Sequence, residues 1–275
     1  MNLGLSGRTV LVTGAHRGTG AATAEVFAEE GADVIVHGFA PDGASVDAGA
    51  GNPEEVAAAI RAKGWSARAI FGDIRTDAGA IDVAQQCGHV DVLINNYGVA
   101  DRGRWFDEDT GSDEWFESYN RNVVTGVRLV RLLAPSMVAG RWGRIVFLGT
   151  MGTSRPGNRN PHYYAAKSAL TGLTVSLAKE MAGTGVTVNL VSPGIVATAE
   201  VRERFVRRAE ARGEPSDWSS VQGRIIAEFG SPGIGMVCEP SRVGQLVAFV
   251  ASEAGQYINA ANLRVDGGIA DTVTP

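Results

Sequence analysis

The chain has 275 residues, 36 of them glycine, and its 30 acidic and 25 basic side chains leave a net charge of −5. A hydrophobic share of 44 % and a charged share of 20 % exclude a disordered chain, and the length suits one large α/β domain with an ample core. The mild acidity, without a basic tail or stripe, argues against a nucleic-acid partner.

In chain order, residues 8–13 read as a buried strand that runs into an alanine-rich helix at 18–30, stopped by Gly31. Residues 33–37 form a second strand. Residues 40–52, rich in Gly, Ala and Asp, read as a loop before a helix at 53–63. Further strands fall at 67–72, 90–95, 144–149 and 186–192, with helical patterns between them, and 262–265 is a last short strand. Residues 101–113 are polar and acidic and read as a surface loop. Residues 199–236 open on a charged helix and continue in Gly/Pro-rich turns, an excursion that reads as a substrate lid. Continuous Val/Ile/Leu strands separated by helices predict a parallel sheet covered on both faces. The expected fold is a doubly wound α/β (Rossmann) sheet, one domain over 1–275, with ligands at the carboxyl ends of the strands.

Cys87 and Cys238 are too few and too far apart for a zinc cluster or a disulfide scaffold and read as reduced core residues. His16, His37, His89 and His162 have no metal-ligand spacing, so no metal site is expected. Residues 1–12 lack a basic region followed by a long apolar run, and no stretch approaches the 18 or so apolar residues of a membrane span. The expectation is a soluble, cytoplasmic protein without a membrane partner.

The first strand leads directly into Thr13-Gly14-Ala15-His16-Arg17-Gly18-Thr19-Gly20, which opens the next helix. Glycines at 14, 18 and 20 permit a tight turn and bring backbone N–H groups and a helix N-terminus up to a pyrophosphate. A glycine triplet alone is often only a turn; here the strand before it and the helix after it supply the context of a dinucleotide site. The second signal is Tyr163 and Lys167, four apart at the start of a helix and therefore on one face. A neighbouring ammonium favours the phenolate, which predicts a lowered Tyr163 pKa and proton exchange near neutral pH. Tyr-x-x-x-Lys is common by itself. The chain holds only three lysines against 22 arginines, so a lysine at this spacing fits a site that needs a compact ammonium.

Together these motifs resemble the classical short-chain dehydrogenase/reductase family over residues 5–268. Asn95-Asn96-Tyr97-Gly98 ends the fourth strand where the family has Asn-Asn-Ala-Gly, and Asn122 occupies the place of its fourth catalytic residue. Pro193-Gly194-Ile195 follows the sixth strand, with Thr198 where the family bonds the nicotinamide carboxamide. Asp73, followed by Ile74, matches its adenine-contacting position, and Val265-Asp266-Gly267-Gly268 its C-terminal signature. The resemblance implies hydride transfer between C4 of a nicotinamide and a carbonyl or alcohol carbon of a small molecule. Tyr163 would exchange the substrate proton. Lys167 would lower its pKa and hold the nicotinamide ribose, and Asn122 would anchor a proton-relaying water. A hydroxyl would bond the substrate oxygen. The resemblance further implies a homo-oligomer, tetramer or dimer.

Two positions depart from the family. Its serine thirteen residues before the tyrosine is Thr150 here, with the same hydroxyl and one more methyl. Thr150 takes the substrate-orienting role, with Thr153 and Ser154 as the fallback and Gly152 and Tyr164 beside it in the pocket. Tyr97, in place of alanine, either lines the substrate pocket, stacks near the nicotinamide, or is a packing variant. These departures are the support for a contrasting class, a nucleotide-binding protein without turnover; Tyr163, Lys167 and Asn122 oppose it. A six-residue spacing, as in enoyl reductases, would need a tyrosine at position 160, which is Asn160.

Cofactor choice depends on the end of the second strand, where NAD-using members place an acid. That position is Gly38. The missing acid, Arg17 in the glycine turn and a contribution from His37 favour NADP(H) over NAD(H). Asp42 and the absence of a basic residue just after Phe39 oppose it. Arg155, Arg159 and His162 either meet an acidic substrate group or sit in a solvated loop, and the Arg/Glu run at 202–214 reads as a mixed-charge solvated helix.

Overall fold

Strands β1 (Thr9–Val12), β2 (Asp33–Gly38), β3 (Ala67–Phe71), β4 (Val92–Asn95), β5 (Gly143–Leu148), β6 (Val186–Pro193) and β7 (Asn262–Val265) form one parallel sheet. The strand order is β3-β2-β1-β4-β5-β6-β7. The computed structural model describes residues 2–40, 51–108, 110–229 and 233–270. Most of the loop expected at 40–52, Asp42 included, lies outside the described residues, as do 230–232 of the expected lid.

Strand side chains alternate between faces, and here both faces are buried. Val10, Val12, Val34 and Val36 pack with helices α1 (Gly18–Glu29), α2 (Pro53–Ala62) and α9 (Pro240–Val250). Leu11, Ile35, Leu93 and Ile145 face the other way, onto α3 (Asp77–Cys87), α5 (Thr125–Ala139) and α6 (Pro161–Glu180). This is why the strands read as unbroken apolar runs rather than alternating ones. Local capping fixes the helix starts. Asn52 accepts from the Glu54 N–H at 2.8 Å ahead of Pro53, and Thr76 accepts from the Gly79 N–H at 3.1 Å.

Two sequence expectations change. The helical run 112–139 joins α4 (Ser112–Tyr119) to α5 through a π-helical turn at Asn120–Val124. With a mean hydropathy of 1.2 over 18 residues it is long and apolar enough to cross a membrane by length and composition, contrary to the sequence reading. Half of that window is buried, and Leu129, Leu133 and Met137 sit in the core. The run is the core helix that carries Asn122. After the charged helix α7 (Ala199–Glu210), the sequence reading expects only turns, whereas a second helix, α8 (Trp218–Phe229), follows. Asp217 starts it by accepting from the Ser220 N–H at 3.0 Å. Val221 and Ile225, one turn apart, bury into a small core with Ala197, Ala209 and Val237. The arginines of α7 are paired as a solvated helix requires, Arg207 with Glu203 and Arg208 with Glu228.

Candidate active site

The strand order reverses between β1 and β4, and at that switch point a doubly wound sheet opens its ligand crevice. The turn after β1 lies there. Gly14 and Gly18 have φ of +60° and +56°, conformations that L side chains rarely adopt. Asn96 clamps the turn by donating to the carbonyls of Thr13 (2.8 Å) and Gly14 (3.2 Å). Helix α1 then begins with no capping side chain and no acid in its first turn. A helix N-terminus left open in this way fits a phosphate anion. Thr19 lies half-buried in that first turn, and Thr198 packs on Gly18. Pro193, Gly194 and Ile195 lead from β6 towards Thr198, with Gly194 held to Val265 and Ile195 to Cys238.

His37 corrects one expectation. It is fully buried, its Nδ1 accepts from the Gly14 N–H at 3.2 Å, and its Nε2 faces the Gly72 carbonyl at 3.0 Å. That pairing assigns the neutral tautomer with the proton on Nε2, and burial lowers the pKa to about 4. His37 therefore supplies no charge for a phosphate; it ties the glycine turn to the end of β3. A folded-state pKa below the unfolded value means that the unfolded chain takes the proton first as pH falls. Stability is then lost between pH 6.5 and 4, by about 3 kcal/mol for this group. We expect His37→Leu to cost about 2–4 kcal/mol at pH 7, from the unpaired Gly14 N–H and Gly72 carbonyl, and to flatten the acid slope. Denaturant unfolding at pH 7 and 4.5 checks both; parallel slopes would refute the assignment.

The neighbouring residues assigned to the cofactor are held by their own contacts. Tyr97 is buried, its ring 4.7 Å from Phe39 and its atoms against Gly14. Of the three alternatives it is the packing variant, filling space under the glycine turn rather than lining the substrate pocket. Asp73 is gripped through both oxygens by Arg75 at 2.8 Å, which holds its carboxyl below the usual range. The Arg75 guanidinium in turn covers Phe39 at 5.3 Å. Ile74 is a core side chain, and Asn95 turns under α5 against Gly126. His16 is half-buried, its pKa lowered by burial and by Arg17. A side chain at Gly38 would strike Pro53 at 2.6 Å.

Across the crevice, the N-terminal part of α6 presents Tyr163 and Lys167. Asn160, at φ +54°, and Pro161 set the helix start. The Lys167 ammonium is buried and donates to the Leu148 carbonyl at 2.9 Å; burial lowers its pKa to about 8. A Cβ on Gly98 would lie 2.6 Å from Asn122 Oδ1 and 2.7 Å from Lys167 Nζ, so only glycine fits between them. Asn122 sits in the π-helical turn, a deformation common at functional sites. Its carboxamide accepts from the Val99 N–H (3.1 Å) and donates to the carbonyls of Val99 (3.0 Å) and Ser118 (2.9 Å).

The Thr150 hydroxyl acts on the Tyr163 phenol, drawing its pKa down, and accepts from the Gly152 N–H at 3.2 Å. The Thr153 hydroxyl is spent on the Thr150 carbonyl at 2.9 Å, and Ser154 is exposed, so the fallback residues do not replace Thr150. The Tyr164 ring lies on Gly152 and 5.5 Å from Tyr163. Burial, then Tyr164, push the phenol up to about 12, and the Thr150 hydroxyl opposes them. The expected lowering by Lys167 is overturned. The ammonium is directed at a backbone carbonyl, and desolvation of the phenolate dominates.

Of the arginine–histidine cluster, Arg155 and Arg159 are exposed, while His162 is buried beside Trp115. The expected surface loop at 101–113 hides one acid: Asp101 is paired with Arg121 at 2.9 Å. Its position three residues after Gly98 is the signal that could have marked it.

The short chain dehydrogenase family matches residues 8–209, and the chain belongs to it: it is an NAD(P)-dependent short-chain dehydrogenase/reductase. It is 31 % identical to the uncharacterized oxidoreductase YvaG of Bacillus subtilis, over 99 % of this chain and 100 % of that one. It is also 31 % identical to the 3-oxoacyl-[acyl-carrier-protein] reductase FabG of Haemophilus influenzae, over 96 % and 99 %. Among solved structures, L-sorbose reductase of Gluconobacter frateurii, complexed with NADPH and L-sorbose, superposes with a TM-score of 0.87 at 26 % identity, covering 99 % and 100 %.

Proposed function

We propose that the protein is an NADP(H)-dependent reductase of a ketone in a small organic molecule, yielding the secondary alcohol. The carrying observation is the convergence of Lys167 and Asn122 on Gly98, one helical turn from Tyr163, on whose phenol the Thr150 hydroxyl acts. The bound nicotinamide supplies hydride from C4 to the carbonyl carbon. Thr150 orients the carbonyl oxygen and stabilises the charge that develops on it, and Tyr163 delivers the proton to that oxygen. A phenol pushed up to about 12 stays protonated at neutral pH, the form that donates a proton to the carbonyl oxygen. Lys167 holds the ribose. Asn122 fixes the Gly98–Val99 backbone against it.

The preference for NADP(H) over NAD(H) draws support from Gly38, where Pro53 leaves no room for a repelling carboxylate, and from Arg17 in the glycine turn. Arg17 is paired with Glu200 at 3.0 Å, a link from the turn to α7 that supports reading 199–236 as a lid. Titration of the protein with NADPH and NADH, followed by NADPH oxidation with a ketone panel, tests the reading. Tighter binding of NADPH by roughly tenfold or more, the size expected of one charge-assisted contact, and turnover are the expected results. A preference for NADH would refute the cofactor assignment, and binding without turnover would favour a nucleotide-binding protein.

A further inference from the structure

The segment from Gly98 to Gly103 joins the two halves of the site. At one end Gly98 lies against Lys167, and Val99 is clamped by Asn122. At the other, the Gly103 carbonyl accepts from the Asn160 N–H at 2.7 Å, three residues before Tyr163. Asp101 lies on this segment, and its charge acts on the phenol. Its Oδ1 accepts from Arg121 Nη1 at 2.9 Å, and Arg121 is anchored by Glu117 at 2.8 Å. Its Oδ2 is buried and has no hydrogen-bond partner. Folded proteins pair nearly all such atoms because the unpaired state is costly, and exceptions call for a functional explanation.

We infer that Asp101 is a specificity-determining residue whose second oxygen accepts a hydrogen bond from a hydroxyl next to the reacting carbonyl, so that the substrate is a polyhydroxylated ketone. This rests on the carbonyl-reductase reading above and names its substrate class. A ketose carries hydroxyls on the carbons flanking its carbonyl. A 3-oxoacyl chain offers no hydroxyl there and would leave Oδ2 unpaired.

Steady-state reduction with NADPH tests this on erythrulose and a ketohexose against 2-butanone and 2-hexanone of the same chain lengths. The wild type is expected to favour the hydroxylated member of each pair by about 100-fold in kcat/KM, because a site built around a substrate hydroxyl discriminates against its absence. Asp101→Asn is expected to shrink that ratio roughly 10- to 100-fold, mainly through KM. The ratio cancels any effect of the variant on Tyr163, since both substrates take the same proton. An unchanged ratio, or a wild type that prefers the alkyl ketone, would overturn the inference. If the variant fails to fold, the wild-type ratio decides alone. Turnover of a 3-oxoacyl thioester without the hydroxyketones would overturn the inference and leave the reductase reading standing. No turnover of any of them, with NADPH bound, would overturn both.

Discussion

Tyr163→Phe is expected to lower kcat for ketone reduction about 10³-fold, within the range of general acid catalysis, and to leave NADPH affinity within about threefold. The substitution removes only the phenol oxygen and keeps the ring that packs beside Tyr164. Binding and chemistry should therefore separate cleanly. The pH dependence adds a second check. With its pKa near 12, the phenol keeps its proton across pH 6–9, whereas Lys167, near 8, loses its charge within that range. The alkaline fall of the wild-type kcat/KM for NADPH should thus centre near pH 8 and persist in the residual activity of Tyr163→Phe. A fall that disappears with the phenol would show that the tyrosine titrates there instead. A loss of less than tenfold in kcat would move the proton donor elsewhere.

The sheet was legible because both its faces are buried. Val34, Ile35 and Val36 stand consecutively in the sequence, yet point into opposite cores. The catalytic spacing was legible because Tyr163 and Lys167 lie one helical turn apart, a purely local relation. What stayed hidden is set by neighbours remote in sequence. The phenol's pKa depends on burial, which outweighs the ammonium that the spacing brings near. His37 looked like a cation because its ring nitrogens were not yet seen to be committed to Gly14 and Gly72, residues 23 and 35 positions away. Helix α8 was obscured by Gly223 and the surrounding turn formers. The Val221–Ile225 spacing after Asp217 was the signal for it. Tyr97 could be placed only once Phe39 was seen to fill the space beside it.

Lys167→Met should separate function from stability in opposite directions. We expect turnover to fall about 10²-fold or more, through loss of the charge and of the ribose contact, while the folded protein gains up to about 2 kcal/mol at pH 7. The reasoning starts from burial. The ammonium is sealed inside with the Leu148 carbonyl as its hydrogen-bond acceptor, and its pKa falls from 10.5 to about 8. A base whose pKa is depressed by folding binds its proton more weakly in the native state. Below pH 8 the fold therefore bears the full penalty, about 3 kcal/mol, and that penalty is relieved as pH rises from 8 to 10.5. Methionine has a similar length and no charge to desolvate. It leaves the Leu148 carbonyl unpaired at a cost of about 1–3 kcal/mol, so only part of the penalty is recovered. At pH 7 the variant should melt higher than the wild type, by up to about 6 °C, and the advantage should vanish as pH rises past 8. Thermal unfolding of both proteins at pH 7 and pH 9.5 measures this. A variant less stable at pH 7, with no convergence at higher pH, would mean that the lysine supports the fold as well as the chemistry.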